Sequence, residues 1–260
     1  MQTLSIGKHN PKLIELRKAL QRTDTTLEGL LPIEGPKLLQ EAVRSGIEVM
    51  DVFKRRGVEL SEVPSNANVY ELDALTFKTI QSTESSQGVV ALVRPRSFSL
   101  RSILSVPNPR IIVLGRLQDP GNVGTIIRVA ESFSATGCLA LTGTVNVYNA
   151  KTVRASAGSV FRLPHVWNLE IAELARQLLA AGVQLVGTSP SAERTIENWD
   201  WHKPVAVLVG NEGGGLADEE LDFCHAVLRI PQNNSVDSLN SAIAAALILY
   251  EASKHERNAF

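Results

Sequence analysis

Apolar positions along the chain recur at two spacings, which predict alternating helices and strands. Leu13, Leu16 and Leu20 are three and four residues apart, the spacing of one helical face. Continuous apolar runs such as 205–209 are typical of strands buried on both faces. The predicted strands lie at 47–53, 69–72, 88–93, 111–114, 138–141, 183–187, 205–209 and 227–230, and the predicted helices at 10–22, 36–44, 73–80, 123–133, 171–181 and 239–254. This alternation predicts an α/β protein.

The periodicity of the apolar residues changes near residue 100, which predicts two domains. Residues 96–108 are rich in proline and serine and show little periodicity, which favours a linker. The linker would separate a small N-terminal α/β domain, residues 1–95, from a larger α/β domain, residues 109–260. The apolar strands of the larger domain predict a mostly parallel sheet covered on both sides.

Composition excludes several classes of protein. With 44% hydrophobic residues in 260, the chain can bury a large core and is not wholly disordered. It has no apolar run long enough to span a membrane and no secretory h-region, so we expect a cytoplasmic protein without a membrane partner. Two cysteines, Cys138 and Cys224, form neither a disulfide framework nor a metal cluster, and no metal is expected. The net charge of -1 means that a polyanion would need a local basic patch.

Three predicted strand-to-helix junctions, residues 117–133, 207–216 and 228–247, are unusually polar or rich in glycine. Ligands of open parallel sheets gather at such junctions. Taken singly, each loop is more often structural, because glycines after strands form turns and Asn or Ser before a helix is usually a cap. The chain also lacks the glycine fingerprints of dinucleotide and P-loop sites, which argues against a nucleotide-dependent enzyme of ordinary Rossmann type.

The three junctions together carry a family pattern. The first motif begins at Asn122 and reads N-x-G-x-x-x-R-x-A; the second begins at Gly210 and reads G-N-E-G-x-G-L. The third begins at Ile230 and reads I-P-x-x-x-x-V-[DE]-S-L-N-x-x-x-A-A-A. Over residues 110–256 this order and spacing resemble the SpoU/TrmH-type RNA 2'-O-methyltransferases of the SPOUT superfamily. The segments NPKLIELRKAL, LLPIEGPKLLQEA and TESSQGVVALV resemble the L30e-like RNA-binding extension of that family.

The resemblance implies a fold that periodicity alone does not predict. The C-terminal domain would contain a deep trefoil knot, a rare exception among unthreaded chains. S-adenosylmethionine (SAM) would bind in the knot of a homodimer, with the site near the subunit interface. The implied reaction is methyl transfer from SAM to a ribose 2'-hydroxyl of structured rRNA or tRNA.

The resemblance also implies catalytic roles for five residues. Arg128 would lie beside the 2'-hydroxyl, but a guanidinium stays protonated, so we assign it phosphate binding and stabilisation of the developing alkoxide. Without the motif, a solvated helix arginine is the commoner interpretation. Asn122 and Asn240 would position the ribose and Arg128 by hydrogen bonds. Glu212 would orient loop amides or Arg128, and Ser238 is a helix cap, a partner near the site, or both.

The cofactor positions implied by the resemblance lie in the later motifs and at the end of one strand. They are Thr188, Gly210, Asn211, Glu212, Gly215, Ile230, Ser238 and Leu239. Backbone groups there would read the adenine edge while apolar side chains sandwich the ring. The sequence departs from the family at Gln232 and Asn234, which stand where Met and Gly are usual, and at Ser241, which replaces a common Val. We expect Gln232 to add polarity near the adenine pocket.

Basic residues of the N-terminal domain are the candidate RNA contacts. Lys54, Arg55 and Arg56 form a charge run that is more often a solvated surface, but in an RNA-binding extension it favours phosphate binding. Lys8, Lys12 and Arg17 are the further candidates. The alternative function from another class is a catalytically inactive RNA-binding protein that retains the methyltransferase fold.

Overall fold

The computed structural model of the chain describes residues 3–60, 63–211, 213–233 and 238–257, with side chains through Lys254. The N-terminal part contains β1 (Thr3–Ser5), α1 (Pro11–Arg22), β2 (Leu31–Glu34), α2 (Pro36–Arg44), β3 (Glu48–Arg55), β4 (Asn68–Leu72), α3 (Ala74–Lys78) and β5 (Val89–Arg94). The remainder contains α4 (Leu100–Leu104), β6 (Arg110–Leu114), α5 (Pro120–Ser132), β7 (Gly137–Leu141), α6 (Ala150–Ala155), β8 (His165–Leu169), α7 (Ile171–Ala180), β9 (Gln184–Thr188), β10 (Arg194–Thr195), β11 (Val205–Val209), α8 (Asp218–Asp222), β12 (Ala226–Arg229) and α9 (Ser241–Arg257).

The chain forms two compact units. The first comprises Met1–Ser97 and Tyr148–Phe161, and the second comprises Phe98–Val147 and Arg162–Phe260. Residues 148–161, which include α6, therefore group with the first unit although they stand between β7 and β8 in the sequence. The predicted boundaries placed this segment in the larger domain, because a linear pattern does not register a segment that returns to an earlier unit.

The first unit is built on a mixed sheet with the strand order β1-β4-β3-β5-β2. Strands β1 and β3 run parallel to β4, whereas β5 is antiparallel to β3 and β2. Helix α1 begins as predicted, because Asn10 Oδ1 accepts from the amide of Lys12 at 3.0 Å and Pro11 occupies the first helical position. Its Leu13 and Leu16 are fully buried in the core.

The second unit contains a parallel sheet with the described strand order β10-β12-β9-β11-β6-β7-β8. Every residue of β6, β7 and β11 is buried, as the continuous apolar runs predicted. The predicted α/β class and mostly parallel sheet are therefore confirmed. Because the strands are parallel, their carboxyl ends meet at one edge of the sheet.

The stretch 96–108, predicted as a linker, contains the short helix α4. Ser99 and Ser102 cap its start reciprocally, and Ile103 is buried in the core of the second unit. A five-residue helix has too few turns to produce a readable periodicity. Strand β3 also extends beyond its predicted end, so Lys54 and Arg55 are strand residues.

Candidate functional site

A cavity of about 400 Å³ lies at the carboxyl ends of β9, β11 and β12 in the second unit. This edge is where open α/β sheets bind ligands, and the volume suits a small organic molecule. Each described member of the predicted cofactor set lines the cavity: Thr188, Gly210, Asn211, Gly215, Ile230, Ser238 and Leu239. Glu212, which was predicted for both catalysis and cofactor binding, lies outside the described residues, as does Asn234.

The glycine-rich loop after β11, residues 210–216, folds back on itself. Asn211 and Gly215 exchange backbone hydrogen bonds of 3.1 and 2.9 Å, and Asn211 Oδ1 accepts from the amide of Gly213 at 2.8 Å. A Cβ on Gly210 would lie 2.3 Å from the carbonyl carbon of Gly215, so this close approach requires glycine. At Gly213 and Gly215 the loop presents backbone without side chains to the cavity.

Residues with no predicted cofactor role, among them Ser189, Leu216 and Leu221, also line the cavity. Gln232 and Ser241, two of the departures from the family pattern, line it as well. The side chain of Thr188 is held in place, because its Oγ1 donates to Leu208 O at 3.1 Å. Ser189 could have been predicted to line the cavity, because it follows a predicted strand. Leu216 and Leu221 could not, because their sequence pattern is that of ordinary core residues.

Asn122 and Asn240 meet where α5 packs against α9. Asn240 Nδ2 donates to Asn122 Oδ1 at 3.1 Å. Asn240 Oδ1 accepts from the amides of Ala242 and Ile243, at 2.9 and 3.3 Å, and so caps α9. Asn122 stands in the first turn of α5, after the N-cap Asp119. The structure therefore brings together two of the predicted catalytic side chains.

Arg128 lies on α5 and does not line the cavity. Its side chain is exposed, and its guanidinium has no hydrogen bond or ion pair with the part of the chain that the structure describes. Because none of the described residues pairs with this guanidinium, it is available to an anionic ligand.

Two of the cations predicted to bind RNA are committed to carboxylates within the first unit. Lys12 Nζ lies 2.6 Å from Asp51 Oδ1, and Lys54 Nζ lies 2.8 Å from Glu71 Oε2. Burial lowers the pKa of Lys12, but the hydrogen bond and charge of Asp51 outweigh it and hold this pKa above its usual range. The Asp51 side chain is only 4% exposed, so Lys12 compensates a buried charge.

The other four candidate RNA-binding cations differ in how far contacts within the protein already occupy them. Arg17 donates to Lys8 O and to Thr79 Oγ1 at 2.8 and 2.9 Å. Arg56 lies 3.4 Å from a carboxylate oxygen and remains largely exposed. Lys8 and Arg55 are exposed, and their side-chain cations have no partner among the described residues. These two cations are the most available for a phosphate.

Metal and thiol chemistry find little support in the described residues. No group of three or more His, Cys, Asp or Glu side chains there is placed to hold a metal ion. Cys138 and Cys224 are free. Burial raises the pKa of Cys224 to about 11 and raises that of Cys138 as well, so neither is ionised near neutral pH. Among the helices described, none has both the length and the apolar character needed to cross a bilayer.

The fold and the site define the second unit as a parallel α/β domain with a cavity of suitable size for a small ligand beside a paired-asparagine centre. Comparison with known proteins makes this class specific. The model of the SpoU rRNA Methylase family matches residues 109–250, and that of the MRM3-like substrate binding domain matches residues 10–91. The chain belongs to the SpoU rRNA methylase family, and the resemblance read from its motifs is confirmed.

Several relatives match nearly the whole chain. It is 32% identical to the uncharacterized tRNA/rRNA methyltransferase slr1673 of Synechocystis sp., over 95% of this chain and 92% of that protein. It is 27% identical to the 23S rRNA (guanosine(2553)-2'-O)-methyltransferase RlmP of Bacillus subtilis, over 93% of this chain and 95% of that protein. An AdoMet-bound rRNA methyltransferase from Sinorhizobium meliloti superimposes with a TM-score of 0.84 at 30% identity, covering 98% of this chain and 99% of that one.

Proposed function

We propose that this protein is a SAM-dependent RNA 2'-O-methyltransferase that acts on a structured RNA, with ribosomal RNA the favoured class. The observation that carries the proposal is the cavity at the carboxyl edge of the sheet, which segments of the second and third motifs line. The first motif meets the third beside it through Asn122 and Asn240. Family membership and the activity named for the Bacillus subtilis relative support the substrate class.

The cavity fits SAM in its size and in its lining. Leu216, Leu228 and Ile230 offer apolar contact to a flat ring, and the glycine-rich loop offers backbone groups to the ring edge. The described lining residues include no charged side chain. When bound, SAM supplies a methyl group carried on a positively charged sulfur.

The chain's own residues would orient the acceptor ribose and stabilise its oxygen. Arg128 would bind the RNA phosphate beside the target ribose and stabilise negative charge developing on the 2'-oxygen. A guanidinium does not accept the proton, so the proton would leave to a phosphate oxygen or to water. Asn122, fixed by Asn240, would hydrogen-bond the ribose. The role assigned to Glu212 stays a prediction. Ser238 was predicted as a helix cap or a partner near the site; Asn240 caps α9 instead, because the helix begins at Ser241, so only the role near the site stays a prediction for Ser238.

We propose a homodimer formed through α9. Ile243, Leu247 and Tyr250 are 53%, 40% and 42% exposed and are spaced four and three residues apart, so they form one apolar stripe. Exposed apolar stripes of this kind are typical of interfaces. Light scattering should give twice the mass of one chain, and Leu247→Asp should give monomers; a wild-type monomer would contradict the proposal.

The two domains would divide the work. We propose that residues 1–95 bind the RNA, with Lys8 and Arg55 as leading phosphate contacts, and that residues 109–260 form the methyltransferase domain. The knot remains a prediction, supported by the packing of α9 against α5 and β11. The free thiols and the RNA substrate support a cytoplasmic location.

The test combines binding with product mapping. Calorimetry should show SAM binding, and labelled methyl should appear on a ribose 2'-oxygen of rRNA from a strain that lacks the gene. RNA binding without SAM binding or methyl transfer would instead identify an inactive RNA-binding protein. Methyl transfer to a base would also contradict the proposal.

A further inference from the structure

Gly115 and Arg116 join the loop before α5 to the glycine-rich loop after β11. The amide of Gly115 donates to Val209 O at 2.8 Å. Asn211 Nδ2 donates to Arg116 O at 3.3 Å. The guanidinium Nη2 of Arg116 donates to Glu220 Oε2 at 3.0 Å, across 104 positions of sequence. Gly115 and Arg116 therefore contact the end of β11, the glycine-rich loop and α8, and β11 and α8 are the elements that flank this loop in the sequence.

Glu220 is the buried end of this ion pair. Its side chain is 6% exposed, whereas that of Arg116 is 47% exposed. Glu220 Oε2 also accepts from the amide of Ala217 at 2.8 Å, next to the start of α8. Burying a carboxylate costs free energy unless a cation or hydrogen-bond donors compensate its charge. The ion pair therefore restricts the positions of both the Arg116 and the Glu220 side chains.

Asn211 connects Arg116 to the residues that line the cavity. The side chain that donates to Arg116 O also accepts from the amide of Gly213, and the Asn211 backbone pairs with Gly215. Both glycines line the cavity, and Arg116 does not. Arg116 therefore acts on a ligand only indirectly, through Asn211 in this loop or through Glu220, whose neighbour Leu221 also lines the cavity.

The backbone of Arg116 has a conformation that is unfavourable for arginine. Its φ is +56°, in the left-handed region that glycine adopts without strain and most other residues disfavour. Glycine at this position would keep the carbonyl contact to Asn211 and relieve the strain. The guanidinium is what arginine adds.

We infer that Arg116 is a positioning residue for the cofactor site, and that its ion pair with Glu220 holds the glycine-rich loop in its SAM-binding conformation before SAM arrives. The inference rests on the proposed function. Loop order established in advance lowers the entropy lost on binding, so loss of the pair weakens SAM binding. Saturating SAM restores the loop, so turnover changes less than affinity.

The experiment measures SAM affinity by calorimetry in Arg116→Gly, Arg116→Ala, Arg116→Lys and Glu220→Gln. Arg116→Gly removes the ion pair and the positive-φ strain while allowing the backbone contacts, whereas Arg116→Ala removes the ion pair and retains that strain. Arg176→Ala is the matched control, because it breaks the surface ion pair of Arg176 with Glu173 on α7, which measures 2.6 Å. Hydrogen exchange of residues 213–216 in the protein without SAM gives a second readout.

We expect Arg116→Gly, Arg116→Ala and Glu220→Gln to raise the Kd for SAM about tenfold, and Arg116→Lys about threefold. The control should stay within about twofold of the wild type. The KM for SAM should rise in parallel while kcat at saturating SAM changes by less than about threefold. Amide exchange at residues 213–216 should accelerate in Arg116→Gly, Arg116→Ala and Glu220→Gln only.

Unchanged affinity and exchange in both Arg116→Gly and Glu220→Gln would overturn the inference. Weaker SAM binding in Arg116→Ala alone would overturn it too, because Arg116→Gly and Glu220→Gln remove the same ion pair. An equal loss of SAM affinity in Arg176→Ala would also overturn it, because that variant leaves the ion pair intact. A wild-type protein that binds no SAM would refute the proposed function instead. Hydrogen exchange in the unliganded protein would then still decide whether Arg116 holds the loop.

Discussion

Asn240 Nδ2 lies 3.1 Å from Asn122 Oδ1, although 118 positions separate the two residues in the sequence. The other side-chain atom, Asn240 Oδ1, caps α9 by accepting from backbone amides. One asparagine thus starts a helix with its oxygen and orients a predicted catalytic side chain with its nitrogen. Because different atoms do the two tasks, substitution can separate them.

Asn240→Asp should keep the cap and lose the donor to Asn122, because aspartate caps helices about as well as asparagine. We expect its unfolding free energy to stay within about 0.5 kcal/mol of wild type, while methyl transfer falls about tenfold to a hundredfold. Asn240→Ala should lose both and cost about 1 kcal/mol of stability. Denaturant unfolding and single-turnover methyl transfer measure the two effects. Full activity in Asn240→Asp would show that the contact to Asn122 is dispensable.

Arg128→Ala should remove activity without unfolding the protein. The guanidinium is exposed and has no partner among the described residues, so we expect a stability change within about 0.5 kcal/mol. Loss of a cation that stabilises the developing oxyanion should lower kcat by about 10²–10³. Arg101→Ala, which removes another exposed arginine of the second unit, is the control and should retain activity. An active Arg128→Ala would refute the assigned role.

The sequence predicted the cavity better than the contacts around it. Strand-end positions such as Thr188 and Gly210 were implied by the family resemblance, and the apolar runs supported them by placing them where parallel strands align their carboxyl ends. The ion pair of Arg116 with Glu220 could not be predicted, since nothing in a linear pattern couples positions 104 residues apart.

The N-terminal cations show that residues adjacent in the sequence can have different surroundings in the structure. Lys54 and Arg55 are adjacent in one charge run, yet Lys54 pairs with Glu71 across the sheet and Arg55 has no side-chain partner among the described residues. Neighbours on a strand point to opposite faces, so a basic run in a strand divides into separate surfaces. Sequence could identify the charge, but only strand pairing assigns its partner.

Arg55→Ala and Lys54→Ala should therefore have different effects. Arg55→Ala should reduce the slope of log RNA affinity against log salt concentration by about 1, as loss of one phosphate contact does, with little change in stability. Lys54→Ala should lower the thermal midpoint instead, because the Lys54 side chain is only 17% exposed and its Nζ donates to Glu71 Oε2 at 2.8 Å and to Val58 O at 3.1 Å. Fluorescence anisotropy at several salt concentrations and thermal unfolding distinguish them. Equal salt slopes in the wild type and Arg55→Ala would remove Arg55 from the RNA surface.

His165 should make the stability of the second unit depend on pH. Its ring is buried between Phe98 and Trp167, with centroids 5.2 and 5.6 Å away, and Nδ1 lies 3.0 Å from Leu163 O. Burial lowers the pKa of the folded imidazole, although the hydrogen bond to Leu163 opposes the effect. The folded protein therefore resists a proton that the unfolded chain accepts.

The sign of the dependence follows from this difference. Above the ordinary histidine pKa of about 6.5 both states are neutral and the stability is fully present; as the pH falls through that value, the unfolded state gains a proton and stability declines, by at most about 1.4 kcal/mol per pH unit. His165→Phe should abolish this component between pH 7.5 and 5.5 in denaturant unfolding. Phe98→Leu, which disturbs the same ring cluster but keeps the imidazole, should retain it. The wild-type slope persisting in His165→Phe would assign the pH dependence to other groups.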